Sequence, residues 1–320
     1  MSILSLLRRS TLGIQVTDDV LRAGMAEIVG EKVNLTMSAK VDLPAGIVER
    51  GTVRDIAKLQ ASLKQLLGSL SGSHPSRVTL CVPADIVYSC RLFVPFARIS
   101  ERDRILKSVV AQTVPEPVED LVIAFTVLGS VGTDQNVVVV CMRRDVLQAY
   151  AGALKAAGLH LCAIVTVPAI VSGLDPVGGD HLVVAINDAG AATITAFLGG
   201  WPAEEAVLRA PAESAVAGEA QSMLADMASG GTRLTRVIVA GDGKEEIANA
   251  CTQPGLRVES FSVLSPQKTE WLGVIGGLAK TPWSGAVLSA AHLSKWTRLR
   301  ILAVTGIALL FADLLLLWLK

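Results

Sequence analysis

The sequence predicts a two-lobed α/β protein followed by a single apolar span. Three observations carry this. Residues 12–83 read as three strands, a helix and a strand, an opening that few folds share. The theme returns about 170 residues later as strand, turn, strand and continuing sheet from His181, which suggests a duplicated lobe rather than a solenoid. The third is the C-terminus, where Ile301 to Leu319 is a run of 19 residues with one charge, Asp313.

Strands are expected at about 12–16, 20–28 and 32–42 from their apolar and alternating residues. In "GTVRDIAKLQASLKQLL", Gly51-Thr52 opens a helix whose Ile56, Leu59, Leu63, Leu66 and Leu67 recur at helical spacing. "GSLSGSHPS" is a loop, and "RVTLCVP" a buried strand. This order is that of a ribonuclease-H-like, actin-type lobe.

The next block reads β-α-β-β-α. "IVYSCRLFVPF" is a strand and 100–114 a helix with Ser100 as N-cap. A hairpin turns at "SVGTD", and "RDVLQAYAGALKAAG" is a helix that Gly158 ends in a left-handed stop. After the strand "LHLCAIVTVP" and the helix start "AIVSGL", the polar, glycine-rich "DPVGGD" (175–180) marks a boundary. "HLVVAINDAGAATITAFLGG" and "WPAEEAVLRAP" build the second sheet, 212–229 is an Ala-rich helix with Met223 and Met227 as core, and "RVIVAGDGKEEIANAC" is a strand feeding a glycine turn. The resulting division is lobe I over 1–85 and 159–175, an inserted small α+β domain over 86–158, lobe II over 176–280, a linker over 281–300 and the span over 301–319.

Composition excludes several function classes. With 29 basic and 29 acidic side chains there is no basic face for nucleic acid. The 51% apolar content and mean hydropathy of +0.50 point instead to a membrane. The five cysteines are scattered and read as reduced, buried thiols; no Cys or His spacing suggests a metal site. No G-x-S-x-G, G-x-x-x-x-G-K-S/T or HExxH motif occurs.

The C-terminal run would make a helix of about 28 Å, long enough to span. Lys295, Arg298 and Arg300 precede it and only Lys320 follows, which places the body in the cytoplasm. Trp296 and Trp318 bracket it as interfacial anchors. Asp313 would cost about 2.5–3.5 kcal/mol at a helix centre, so it either meets a polar group on another membrane helix or is partly hydrated or protonated. The first ten residues do not read as a cleaved signal peptide.

Five stretches carry a resemblance: "GTVRDIAKLQASLKQLL", "VTLCVPADIVYSCRLFVP", "AQTVPEPVEDLVIAFTVLG", "VVVVCMRRDVLQAYAGALKAAGL" and "VIVAGDGKEEIANA". In order and spacing the chain resembles PilM, the actin-like protein of type IV pilus assembly, and the cytoplasmic domain of GspL, a type II secretion subunit. "VPEPVEDLVIAFTVLG" is the most telling, a proline-flanked acidic turn before a strand. The likeness covers about residues 12–280. A membrane span after the body looks like GspL, although that family's periplasmic domain does not follow here.

The resemblance implies an inner-membrane adaptor that docks a secretion or pilus assembly ATPase and contacts other membrane subunits. It implies a partner surface on the inserted block, with Glu116, Glu119 and Asp120. It also implies a nucleotide site between the lobes. In nucleotide-binding relatives the first turn reads like D-I-G-S-S-S; here it reads Gln15-Val16-Thr17-Asp18-Asp19. The magnesium-orienting acid has become Gln15, the glycine Thr17, and two carboxylates are expected to face the phosphate. Like charges about 5 Å apart cost several kcal/mol at an effective dielectric near 20. The second turn keeps Asp188 and Gly190, with the family acid falling on Ile186 or Asn187 according to register, and the adenosine-type turn keeps Gly241 and Gly243. The expectation is a degenerate site with no cofactor and no catalysis. The competing readings are an actin-fold ATPase that hydrolyses ATP between its lobes, and a division protein resembling FtsA; residues 301–319 lack the polar face that the latter's amphipathic anchor would need.

Overall fold

The computed structural model describes residues 12–29, 32–97, 99–175, 177–186, 191–209, 212–241, 248–249, 251–252, 256–261 and 266–278. The span at Ile301–Leu319, with Trp296, Asp313 and Trp318, lies outside them. Among the described residues no helix is long and apolar enough to cross a membrane.

Lobe I is built on a five-stranded sheet of β1 (Leu12–Val16), β2 (Val20–Val29), β3 (Lys32–Asp42), β6 (Arg77–Cys81) and β10 (His160–Val165), in the order β10-β6-β1-β2-β3. β1 to β3 run antiparallel; β1, β6 and β10 run parallel. Every residue of β1 is buried, as a central strand covered on both faces requires.

Between β3 and β6 lie the two-residue strands β4 (Val48–Glu49) and β5 (Thr52–Val53), then α1 (Ile56–Ser69). Gly51-Thr52 therefore does not open the helix. Arg50 and Gly51 both have positive φ, 50° and 70°, and form the two-residue turn of a hairpin in which Glu49 pairs with Thr52. The helix starts four residues later, where the Asp55 side chain accepts from Lys58 N–H at 2.9 Å as N-cap.

Lobe II repeats the plan. β11 (His181–Ile186), β12 (Ala192–Leu198), β13 (Trp201–Leu208), β14 (Arg236–Ala240) and β15 (Arg257–Ser260) order as β13-β12-β11-β14-β15. This is the strand order of lobe I, with antiparallel and parallel pairs in the same places. α5 (Glu213–Ser229) covers one face through Val216, Ala220, Met223 and Met227, all buried.

The block between β6 and β10 divides differently from the sequence expectation. β7 (Val87–Pro95), β8 (Leu121–Val131) and β9 (Asp134–Arg143) form a separate sheet, β7-β9-β8. α2 (Ile99–Thr113), through Leu106 and Val110, and Val114 just after it close one face against Val137, Val139 and Cys141. Its start at Ile99 puts Ser100 inside the first turn rather than at the cap. The opposite face, with Val122, Ala124, Val138 and Val140, joins the main core. α3 (Arg144–Ala156) does not belong with this sheet. Its buried Val146, Leu147, Tyr150, Ala153 and Leu154 pack into the main core beside α1 and β10, and Tyr150 O–H donates to Gly51 O at 2.7 Å.

Two segments cross between the lobes. α4 (Val167–Leu174) leads from β10 to β11, and the 3-10 stretch Pro266–Leu278 returns from lobe II to lie on β1, β2 and α4. Its approach needs bare backbone on both sides. A Cβ on Gly13 would stand 1.6 Å from Val274 O, and one on Gly273 would stand 2.4 Å from Gln15 Cδ.

Candidate functional site: the first turn and the cleft beside the inserted sheet

The first turn is a closed hairpin. Thr17 N–H donates to Val20 O at 3.0 Å, and Val20 N–H donates to Thr17 Oγ1 at 3.1 Å. The Thr17 hydroxyl donates to Asp19 Oδ1 at 2.7 Å. Asp18 is turned away from the position the sequence suggested: its two carboxylate oxygens accept the Arg50 and Gly51 N–H groups at 2.8 and 2.9 Å. It fastens the β4–β5 turn to the end of β1. Both acids stay at the surface, Asp18 spent on these two N–H groups and Asp19 with its second oxygen toward solvent.

Gln15 is 8% exposed, lies beneath Gly273, and its Oε1 is buried without a partner. The amide thus faces the returning 3-10 stretch. Of the other nucleotide-site candidates, Asp188, Gly190 and Gly243 lie outside the described residues. Gly241 has φ 103°, and a Cβ there would stand 2.1 Å from Ile186 O. Its bare backbone is demanded by the crossing of β14's end over β11's end, whether or not a ligand approaches.

A larger hollow, about 630 Å³, opens on the other side of the hairpin. Its walls are Val87 to Cys90 of β7 and Glu205, Val207 and Arg209 on and after β13. Each of these strands is outermost in its own sheet. They run close together, yet no ladder joins them. The cleft is therefore bounded by two strand edges, whose outward N–H and C=O groups face a shared space. Thr113 to Glu116, at the end of α2, and Arg143 close one end.

The charged groups at this cleft are mostly paired. The Tyr88 hydroxyl donates to Glu116 Oε1 at 3.3 Å, and its ionisation is pushed up by burial and then by the Glu116 charge. Arg143 stands 3.8 Å from Glu116 and makes a two-point contact with Asp145 at 3.0 and 2.6 Å, which holds its proton more tightly. Arg209 bonds Asp85 and ties lobe II to the 3-10 turn Ala84–Ile86. Glu205 differs. It accepts from the buried Thr195 hydroxyl at 3.0 Å, and burial, with Asp85 adding like charge, pushes its carboxyl up to about 8.

Of the expected partner-binding acids, Glu116 lines this cleft. Glu119 and Asp120 lie exposed on the 3-10 turn Val118–Asp120. The sequence reading missed Asp85, Tyr88, Arg143, Glu205 and Arg209, since no spacing links β7 to β13. The five cysteines are free thiols, and burial raises Cys81 and Cys141 to about 12. Among the described residues no group of three His, Cys, Asp or Glu side chains could hold a metal ion.

No family model matches the sequence, and no curated protein matches it. Solved structures do. A chain of the PilM–PilN type IV pilus biogenesis complex aligns with 17% identity and TM-score 0.64, over 89% of this chain and 99% of that one. The cytoplasmic domain of EpsL, an inner-membrane component of the type II secretion system of Vibrio cholerae, aligns at 14% identity and TM-score 0.45, over 72% and 81%. A protein with an actin-like ATPase fold from Bacteroides thetaiotaomicron aligns at 12% identity and TM-score 0.44, over 85% and 98%. The fold is actin-like. That rests on the repeated strand order of the two lobes and on the first of these likenesses; at such identity a likeness speaks for fold and not for activity.

Proposed function

We propose that this chain is a membrane-anchored adaptor of a type II secretion or type IV pilus machine. Its body lies in the cytoplasm, and Ile301–Leu319 is its inner-membrane anchor. The cleft between β7 and β13 takes a short extended segment of a partner subunit, and the outer surface of the inserted sheet, with Glu119 and Asp120, holds the assembly ATPase. The observation that carries this reading is the pairing of two strand edges across an open hollow of about 630 Å³. An extended peptide placed in the hollow adds to one of these edges, where main-chain hydrogen bonds supply affinity as in strand addition.

The first turn supports the non-catalytic part. A phosphate grip needs free backbone N–H groups and little side chain. Here the Thr17 and Val20 N–H groups are bonded within the hairpin, and Asp18 serves the neighbouring turn. Gln15 replaces the carboxylate that would orient a magnesium water. The adaptor acts by holding two partners, not by turning over nucleotide.

The test is twofold. The full chain in lipid nanodiscs is titrated with fluorescent ATP and magnesium to millimolar concentration; the adaptor predicts no saturable binding, and a saturable isotherm with phosphate release would establish the ATPase instead. The same chain is co-purified with the candidate ATPase and membrane subunits. Val207→Trp, which fills the cleft, is expected to release the membrane subunit and retain the ATPase.

A further inference from the structure

The cleft is unevenly charged. The acids on its walls are Asp85, Glu116 and Glu205, and the bases are Arg50, Arg143 and Arg209. Asp85 and Glu116 each have a guanidinium beside them, and Glu205 has only the Thr195 hydroxyl. A second hollow of about 300 Å³ shares Ser89 and Glu205 with the cleft and is lined further by Glu204, Glu219 and Asp226, with no base among its lining residues. Glu204 is likewise pushed up, by burial and then by Asp226, with the Arg91 guanidinium of β7 pulling the other way. Ser89 lines both hollows, and its Oγ is buried without a partner. The cleft thus joins a half-buried carboxyl, an unused hydroxyl and a group of further carboxylates.

We infer that the segment docked in this cleft carries a lysine or arginine whose cationic head reaches the floor between Ser89 and Glu205 and pairs with the Glu205 carboxylate. This rests on the peptide-docking reading above. A partly buried acid without a positive partner is harder to ionise than one in water, and a cation brought to it offsets that cost. Two of the cleft's three arginines are already committed, Arg143 to Asp145 and Arg209 to Asp85. A metal ion is disfavoured because no three of these carboxylates converge as a ligand set among the described residues. A side chain on an extended strand fits better: alternate residues point to one side, so a single basic position can reach the floor while its neighbours face the walls.

Pairing also moves a proton. With its carboxyl pushed up to about 8, Glu205 is mostly protonated at neutral pH. When the basic head arrives, the O–H bond breaks, the proton leaves to buffer, and the carboxylate so formed stays against the cation. The charged and titratable groups around Glu205 that bear on this step are Asp85 and Arg209, Tyr88, Glu116, Arg143 and Arg50 on the cleft, Glu204, Glu219 and Asp226 on the second hollow, and Arg91 of β7, whose charge reaches Glu204.

The experiment is a selection from a random twelve-residue peptide display library on the full chain in nanodiscs, repeated on Glu205→Gln and on the cleft-filling Val207→Trp and Thr113→Trp. The expected result is a family of peptides, lost on either tryptophan variant, with Lys or Arg at one fixed position. Replacing that residue by norleucine weakens binding about tenfold on the wild type and less than about twofold on Glu205→Gln. Calorimetry at pH 7 in two buffers of different ionisation heat is expected to show about one proton released per bound peptide, and none with Glu205→Gln. Cleft-dependent peptides without a basic position, or a norleucine penalty that survives in Glu205→Gln, overturn the inference and leave peptide docking standing. If no cleft-dependent peptide is enriched, the docking reading falls and takes this inference with it. Thermal melts of Glu205→Gln separate loss of pairing from loss of fold, since removing a buried carboxyl is expected to leave the midpoint unchanged or raise it.

Discussion

The turn at Thr17–Val20 and the cleft between β7 and β13 lie on either side of the Arg50–Gly51 hairpin, yet they use their polar groups in opposite ways. In the turn, hydroxyl, carboxylate and N–H groups bond to one another or to the next hairpin, although Gln15 Oε1 on the strand before it is buried without a partner. In the cleft, two strand edges, the Ser89 hydroxyl and the Glu205 carboxyl have little to bond. A fold keeps its buried polar groups satisfied unless something else is to satisfy them. The difference therefore teaches where a partner can bind. Asp18 is the sharpest case: a carboxylate that sequence suggested would repel a ligand is a structural acceptor for two backbone amides.

Four substitutions press on this contrast, from the largest effect to the smallest. Gly13→Val puts side-chain atoms where Val274 O lies, so it should expel the returning 3-10 stretch and cost more than about 3 kcal/mol in urea unfolding. A smaller loss would mean the stretch packs loosely. Asp18→Ala leaves the Arg50 and Gly51 N–H groups without an acceptor and should cost about 1–3 kcal/mol. No loss of stability would show instead that this carboxylate is held ready for a ligand.

Glu205→Gln should act with the opposite sign. An acid whose folded pKa is raised from 4.5 to about 8 binds its proton more tightly folded than unfolded. Stability then falls as pH rises from about 4.5 to 8, and the glutamine variant should lack that fall and gain on the order of 1 kcal/mol at pH 8. An unchanged pH profile would place the carboxyl in water. His181, buried against Phe197 with Nε2 unpartnered, has its pKa lowered by burial. Its contribution is present above about 6.5 and is lost as pH falls through that value, because the unfolded chain takes the proton first. His181→Phe should remove this acid-side slope, and a slope that persists would assign it elsewhere.

Much of the fold was legible because burial is written locally. β1, β2 and β3 were expected at 12–16, 20–28 and 32–42 and stand at Leu12–Val16, Val20–Val29 and Lys32–Asp42. Met223 and Met227, spaced as one face of a helix, are core. What failed depended on distant partners. Gly51-Thr52 looked like a helix start, but its left-handed backbone is held by Asp18 and Tyr150, far away in sequence. α3 looked like part of the inserted block because it follows β9 directly, and only its packing on α1 and β10 assigns it to lobe I. The cleft was half legible: Glu116 stood out in its proline-flanked turn. Glu205 did not, since its meaning comes from β7, more than a hundred residues earlier.

The central claim is that binding capacity lies in the cleft beside the inserted sheet and not in the closed first turn. Amide hydrogen exchange of the full chain in nanodiscs tests it, measured with millimolar ATP and magnesium and then with a cleft-selected peptide. The account predicts new protection across Val87–Cys90 and Glu205–Arg209 with peptide, and no change at Thr17–Val20 with nucleotide. Saturable protection of Thr17–Val20 by ATP, with Val87–Cys90 unaffected by peptide, would contradict it.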